Sequence, residues 1–160
     1  MSSGTSIARP RRIVSGGQTG VDRAALDVAL SLGIDCGGWC PRGRRAEDGP
    51  IPECYPVSET ASPRYEDRTE RNVLDSDGTL ILTWGDLAGG TALTQELALR
   101  HERPVLVVDL DGEPDPGTVR EWIASRGIAT LNVAGPRESG RPGIHLAAQA
   151  FLERLLARED

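Results

Sequence analysis

Two glycine-rich segments carry the chain's clearest chemistry. Gly16-Gly17-Gln18-Thr19-Gly20 follows a short strand, Ile13-Val14-Ser15. It precedes a helical pattern with Val21, Ala24, Ala25, Val28, Ala29 and Leu32 on one face, closed by Gly33. Gly89-Gly90-Thr91 follows an apolar strand, Asp77 to Trp84, and opens a helix to about His101, with Thr91 as its N-cap. A helix N-terminus has unpaired backbone N–H groups and a dipole that favours an anion. Glycines let a ligand approach the backbone closely. A loop that merely turns the chain would also be glycine-rich, but two such loops opening on one crevice favour a phosphate site.

Around these loops lie further candidates. Asp22 and Arg23 follow the first loop directly, so at least one is expected to face the crevice. Tyr65, Arg68 and Asn72 share one helical face through spacings of three and four, and could hold a polar heterocycle and its phosphate. Trp39, with Arg42, Arg44 and Arg45 nearby, could stack on a ring or clamp an anion. Arg137, Glu138 and Ser139 leave the last strand at its C-terminal end, where α/β proteins place their ligands.

Other chemistry is excluded or unsupported. All 18 basic residues are Arg. That removes a Schiff-base lysine and a P-loop lysine together. Cys36, Cys40 and Cys54 do not have the spacing of a zinc site, and free thiols are expected. There is no GxSxG segment, and neither His101 nor His145 has a partner nearby in sequence. The net charge of −6, with no basic run, argues against nucleic-acid binding. No apolar stretch is long enough for a membrane span, and the N-terminus lacks the apolar region of a signal peptide. A cytoplasmic protein is expected.

The elements that must position these residues alternate strand and helix. Further strands are read at 34–40, Pro104 to Leu110 (taken as buried) and Ala129 to Val133. Further helices are read at Arg64 to Leu74, Pro116 to Arg126 and Gly143 to Arg158. Residues 41–63 form a long Pro- and Gly-rich connection of the kind that is usually functional or mobile. The alternation predicts a Rossmann-like, doubly wound α/β fold with a parallel sheet of about five strands in order 2-1-3-4-5 and helices on both faces. Residues 1–11 read as a disordered tail and 12–160 as one ligand-binding domain. At 160 residues, with 38% apolar side chains, the chain can bury a full core.

Five segments in order then resemble the molybdenum cofactor carrier proteins: SGGQTGVD at 15–22, GGWCPRGRRAEDGPI at 37–51, RTERNVLDSD at 68–77, GGTALT at 89–94 and NVAGPRES at 132–139. The resemblance spans residues 13 to about 156. It is similar in fold to the lysine-decarboxylase-like "lonely guy" proteins and related nucleotide-sensing domains, which are Rossmann-like and usually oligomeric. What it implies is a homo-oligomeric carrier that binds the molybdenum cofactor, protects it and hands it to molybdoenzymes. It implies pocket roles for Gly17, Gln18, Thr19, Asp22, Gly90, Thr91 and Thr94. The protein need supply no metal ligand, because the pterin dithiolene does so.

One departure separates this chain from the related phosphoribohydrolases. Their Gly-Gly-x-Gly-Thr-x-x-Glu motif ends on the Glu required for cleavage, and here Thr94 holds that place. Glu96 lies about 200° further round the helix and faces elsewhere. A non-catalytic carrier is therefore favoured, and no catalytic residue is assigned. The alternatives are a hydrolase of AMP-like nucleotides, with Asp22 or Glu138 as base, and a sensor of ADP-ribose or a similar nucleotide. Release of base from AMP would separate the first alternative. An attached effector domain would separate the second.

Overall fold

The computed structural model describes residues 9–157. Most of the tail expected at 1–11 lies outside them. Five parallel strands form the central sheet: β1 (Arg12–Val14), β2 (Asp35–Gly37), β7 (Gly78–Thr83), β8 (Val105–Asp109) and β9 (Thr130–Ala134). The helices are α1 (Val21–Leu32), α2 (Tyr65–Leu74), α3 (Gly89–Arg100), α4 (Pro116–Ser125) and α5 (Ile144–Leu156). The Rossmann-like α/β class is as expected from the alternating pattern.

The strand order is not. It runs β2-β1-β9-β7-β8, so the last strand enters between the first and the third main strands. Leu131, Asn132 and Val133 of β9 are all buried, as a central strand requires. Conversely β8, read as buried from its valines, is an edge strand, and Val107 is 37% exposed. An apolar run cannot distinguish these two places. Strand order is decided by how the crossover helices pack.

Successive strand residues point to opposite faces. Every residue of β7 is buried, so both faces of the sheet are covered. The two coverings differ. Ile13, Leu80, Leu82, Leu131 and Val133 join α1 and α5 residues such as Leu26, Ala29, Leu152 and Leu155 in the main core. Each such large apolar side chain contributes about 1.5–3 kcal/mol on burial. The alternate residues Thr79, Thr83 and Asn132 are also buried, but polar. Asn132 Nδ2 donates to Thr79 Oγ1 at 3.2 Å. The sheet thus has an apolar face and a partly polar one.

The connection at 41–63 is structured. It holds a two-residue-strand hairpin of β4 (Arg45–Ala46) and β5 (Gly49–Pro50), and β6 (Ser58–Glu59), which pairs with β3 (Trp39–Cys40). Arg44 organises it from within. Its guanidinium donates to the carbonyls of Ile51, Pro52, Tyr55 and Val57. Arg45 reaches the Pro63 carbonyl and lies over the Tyr65 ring. The anion clamp considered for these arginines therefore gives way to an internal brace.

Candidate functional site

At the C-terminal ends of β1, β9 and β7 lies a cleft of about 520 Å³. That is the size of an ordinary small-molecule site. Its walls come from four places: the first glycine loop with α1, the inner face of α2, the N-terminal turn of α3, and the segment from Asn132 to Arg141. Ten candidate residues meet there: Gly16, Gln18, Asp22, Arg68, Asn72, Gly89, Gly90, Thr91, Thr94 and Arg137. Tyr65 joins them from the face of α2 inferred from spacing.

The two helix N-termini differ sharply. Thr91 is the third residue of α3, not its cap; Ala88 precedes the helix and offers no side-chain cap. The Gly89 and Gly90 N–H groups have no acceptor among the described residues, and both glycines are exposed. Thr94 Oγ1 donates back to the Gly90 carbonyl at 2.8 Å. This N-terminus can receive an anion as it stands.

At α1 the corresponding groups are engaged. Gly17 N–H reaches Ser15 Oγ, Thr19 N–H donates to Gln18 Oε1, and Val21 N–H to the Pro136 carbonyl. Gly20 has φ 83°, and a Cβ there would collide with the Pro136 carbonyl. The loop also holds an anion of its own, since Asp22 sits in the first helical turn. Burial pushes its carboxyl up to about 6. The Arg68 and Arg23 charges and the Gln18 and Gly16 amides pull the other way without cancelling that.

Arg68 crosses from α2 to this loop and donates from Nη1 to the Gly16 carbonyl at 2.7 Å. Gly16 has no room for a side chain. A Cβ there would collide with Arg68 Nη1 and touch Asp22 Oδ2 at 3.0 Å. Asn72 lines the cleft but is fully used: its amide accepts from Trp39 N–H and donates to the Trp39 carbonyl.

Seven candidates are not among the lining residues: Gly17, Thr19, Gly20, Arg23, Trp39, Glu138 and Ser139. Each has an internal task. Gly17 accepts at its carbonyl from Arg23, whose Nη1 and Nη2 also bind Asp48. Trp39 donates from Nε1 to Asp75 and stacks under Arg71. Glu138 accepts from Gly143 and His145 N–H at the start of α5. Thr19 and Ser139 both donate to Glu47, and Glu138 N–H reaches Thr19 Oγ1. Burial raises the Glu47 carboxyl, but those hydroxyl bonds and the Arg137 charge outweigh it and hold it below its usual range. Glu47 thus straps the β4–β5 hairpin to both loops.

Two lining residues escaped the sequence reading as site residues. Asn132 carried one signal, a polar residue inside a buried strand. Arg141 carried none; it reaches the rim by folding back to the Trp84 carbonyl. Both histidines find partners distant in sequence, His101 with Glu70 and His145 with Asp27. Among the described residues no group of three His, Cys, Asp or Glu is placed to hold a metal ion. Cys36 and Cys40 are buried thiols whose pKa burial raises, and Cys54 is exposed. No helix of the described residues is long and apolar enough to cross a membrane.

The family model of the Circularly permutated YpsA SLOG family matches residues 13–156. The chain belongs to that family. Its description agrees with a sheet in which the last strand fills the central place. A crystal structure from Syntrophus aciditrophicus SB, named "Putative molybdenum carrier protein", is 45% identical to this chain. The match covers 97% of this chain and 100% of that one, with a TM-score of 0.93. No curated protein matches.

Proposed function

We propose that this protein is a carrier of the molybdenum cofactor. The reading rests on one observation above the rest: the exposed, uncapped N-terminus of α3 at the rim of a cleft of about 520 Å³. The terminal phosphate of the pterin would sit on the Gly89 and Gly90 amides and the Thr91 hydroxyl, with Arg141 and Arg137 at the rim. The ring would lie deeper, between Tyr65, Arg68 and Asn132. The cofactor is cargo here, and its dithiolene holds the molybdenum. The similarity to a protein named as a molybdenum carrier supports the same reading.

This assigns phosphate to one loop rather than to both, because the amides of the first loop already serve Ser15, Gln18 and Pro136. Around the carrier we place a cytoplasmic setting, molybdoenzymes as recipients and assembly as a homo-oligomer, with residues 12–160 as the ligand-binding unit. The test is retention. Protein mixed with freshly released cofactor is passed through gel filtration, then oxidised, and its pterin fluorescence is read. Wild type should retain stoichiometric pterin. Gly90→Asp should lose about a hundredfold in affinity, because it puts a carboxylate on the proposed phosphate site. A Cβ at Gly90 meets nothing within 4 Å, so the fold should survive. Absence of pterin from the wild-type fraction would overturn the carrier reading.

A further inference from the structure

The proposed phosphate site leaves one strong group of the cleft unused. Asp22 lines the cleft and is only 8% exposed. Its carboxylate has no ion-pair partner of its own. Arg68 spends Nη1 on the Gly16 carbonyl and Nε on Thr69, and Arg23 spends its Nη atoms on Asp48 and Gly17. A buried carboxylate in such a position is costly unless something donates to it. Beside it are two donors with no acceptor among the described residues, Arg68 Nη2 and Gln18 Nε2; Gln18 Oε1 is held by the Thr19 and Glu47 amides. The wall therefore presents a two-oxygen acceptor flanked by donors. It needs a ligand edge with two adjacent N–H groups next to a carbonyl.

We propose that Asp22 selects the ring of the ligand: its carboxylate receives the paired N–H groups of a 2-amino-4-oxopyrimidine edge, with Arg68 Nη2 or Gln18 Nε2 donating to the adjoining carbonyl. Pterins and guanine share this edge. Hypoxanthine lacks the exocyclic amine and offers one N–H. Adenine turns a ring nitrogen lone pair toward the carboxylate, which repels it. The proposal rests on the reading of the cleft as a site for a phosphate-bearing heterocycle, and names the class of heterocycle.

The experiment is isothermal titration of the full chain with GMP, IMP and AMP, and with guanosine and inosine as phosphate-free controls. GMP should bind at least about tenfold more tightly than AMP, with IMP between, as expected for one bidentate contact. Asp22→Asn should lower GMP affinity about tenfold and leave AMP within about twofold. Asparagine fits the same space, and circular dichroism confirms the fold. Equal binding of GMP and AMP by wild type, or an unchanged ratio in Asp22→Asn, would overturn the Asp22 assignment while leaving the phosphate site standing. Guanosine preferred over inosine with no gain from phosphate would do the reverse. If none of the five binds, both fail.

Discussion

The two glycine loops are near equivalents in sequence, and the fold puts them to opposite uses. Gly16–Gly20 faces inward. Its amides are bonded to Ser15, Gln18 and Pro136, its helix brings its own carboxylate, and Glu47 straps it to the segment after β9. Gly89–Gly90 faces outward, with neither a cap nor an acid in the first turn of α3. The lesson concerns how glycine is used. In the first loop glycine permits backbone to approach protein; in the other it permits backbone to approach a ligand. One builds the floor of the cleft and the other receives the charge.

The comparison breaks most visibly at Gly20. Gly20→Ala must give up a positive φ or push Pro136 away, and is expected to cost about 3 kcal/mol or more of stability. Urea unfolding monitored by circular dichroism measures this. An equal loss from Gly90→Ala, where a Cβ has open space, would show that the two loops do not differ as described.

Asp22 sharpens the contrast next. Its folded carboxyl lies near 6 against an ordinary value of 3.8, because burial disfavours the charge. The folded protein therefore binds more protons than the unfolded chain between those values, and stability falls as pH rises from about 4 to about 6. Above that window the ionised group costs about 3 kcal/mol. Asp22→Asn should recover most of this at pH 8 and nothing at pH 3.5. Denaturation curves at the two pH values check the sign. A gain that is the same at both would mean that Asp22 is not the group responsible.

The smallest expected effect is at Thr19. Thr19→Ala removes the hydroxyl that links Glu47 to the Glu138 amide, and should cost about 1 kcal/mol. Retention of pterin should be unchanged, because Thr19 is not among the residues lining the cleft. Loss of ligand in Thr19→Ala at full stability would return the first loop to the phosphate.

The fold class and the position of every main element were legible, because the alternation of period-two and helical patterns depends on local chain geometry alone. So was the inner face of α2: Tyr65, Arg68 and Asn72 were brought together by helical spacing, and the cleft contains all three. Arg23, Trp39, Glu138 and Ser139 were indistinguishable in sequence from their neighbours in the site. Whether a polar side chain faces a cleft or a carbonyl on the next element depends on partners such as Asp48 and Asp75, more than twenty residues away in the chain.

What the sequence by itself determined, then, is the parallel α/β layering, two helix N-termini preceded by glycine, the absence of lysine chemistry and the family resemblance. What only the tertiary structure decided is that β9 enters the middle of the sheet and carries Asn132 to the cleft, and that β8 lies at the edge. It also decided which of the two glycine loops is exposed. Local patterns record whether a residue prefers burial and which way it points along its own element. The order of strands, and the groups that satisfy a given amide or carboxylate, are set by packing between segments far apart in the chain, and no local period encodes them.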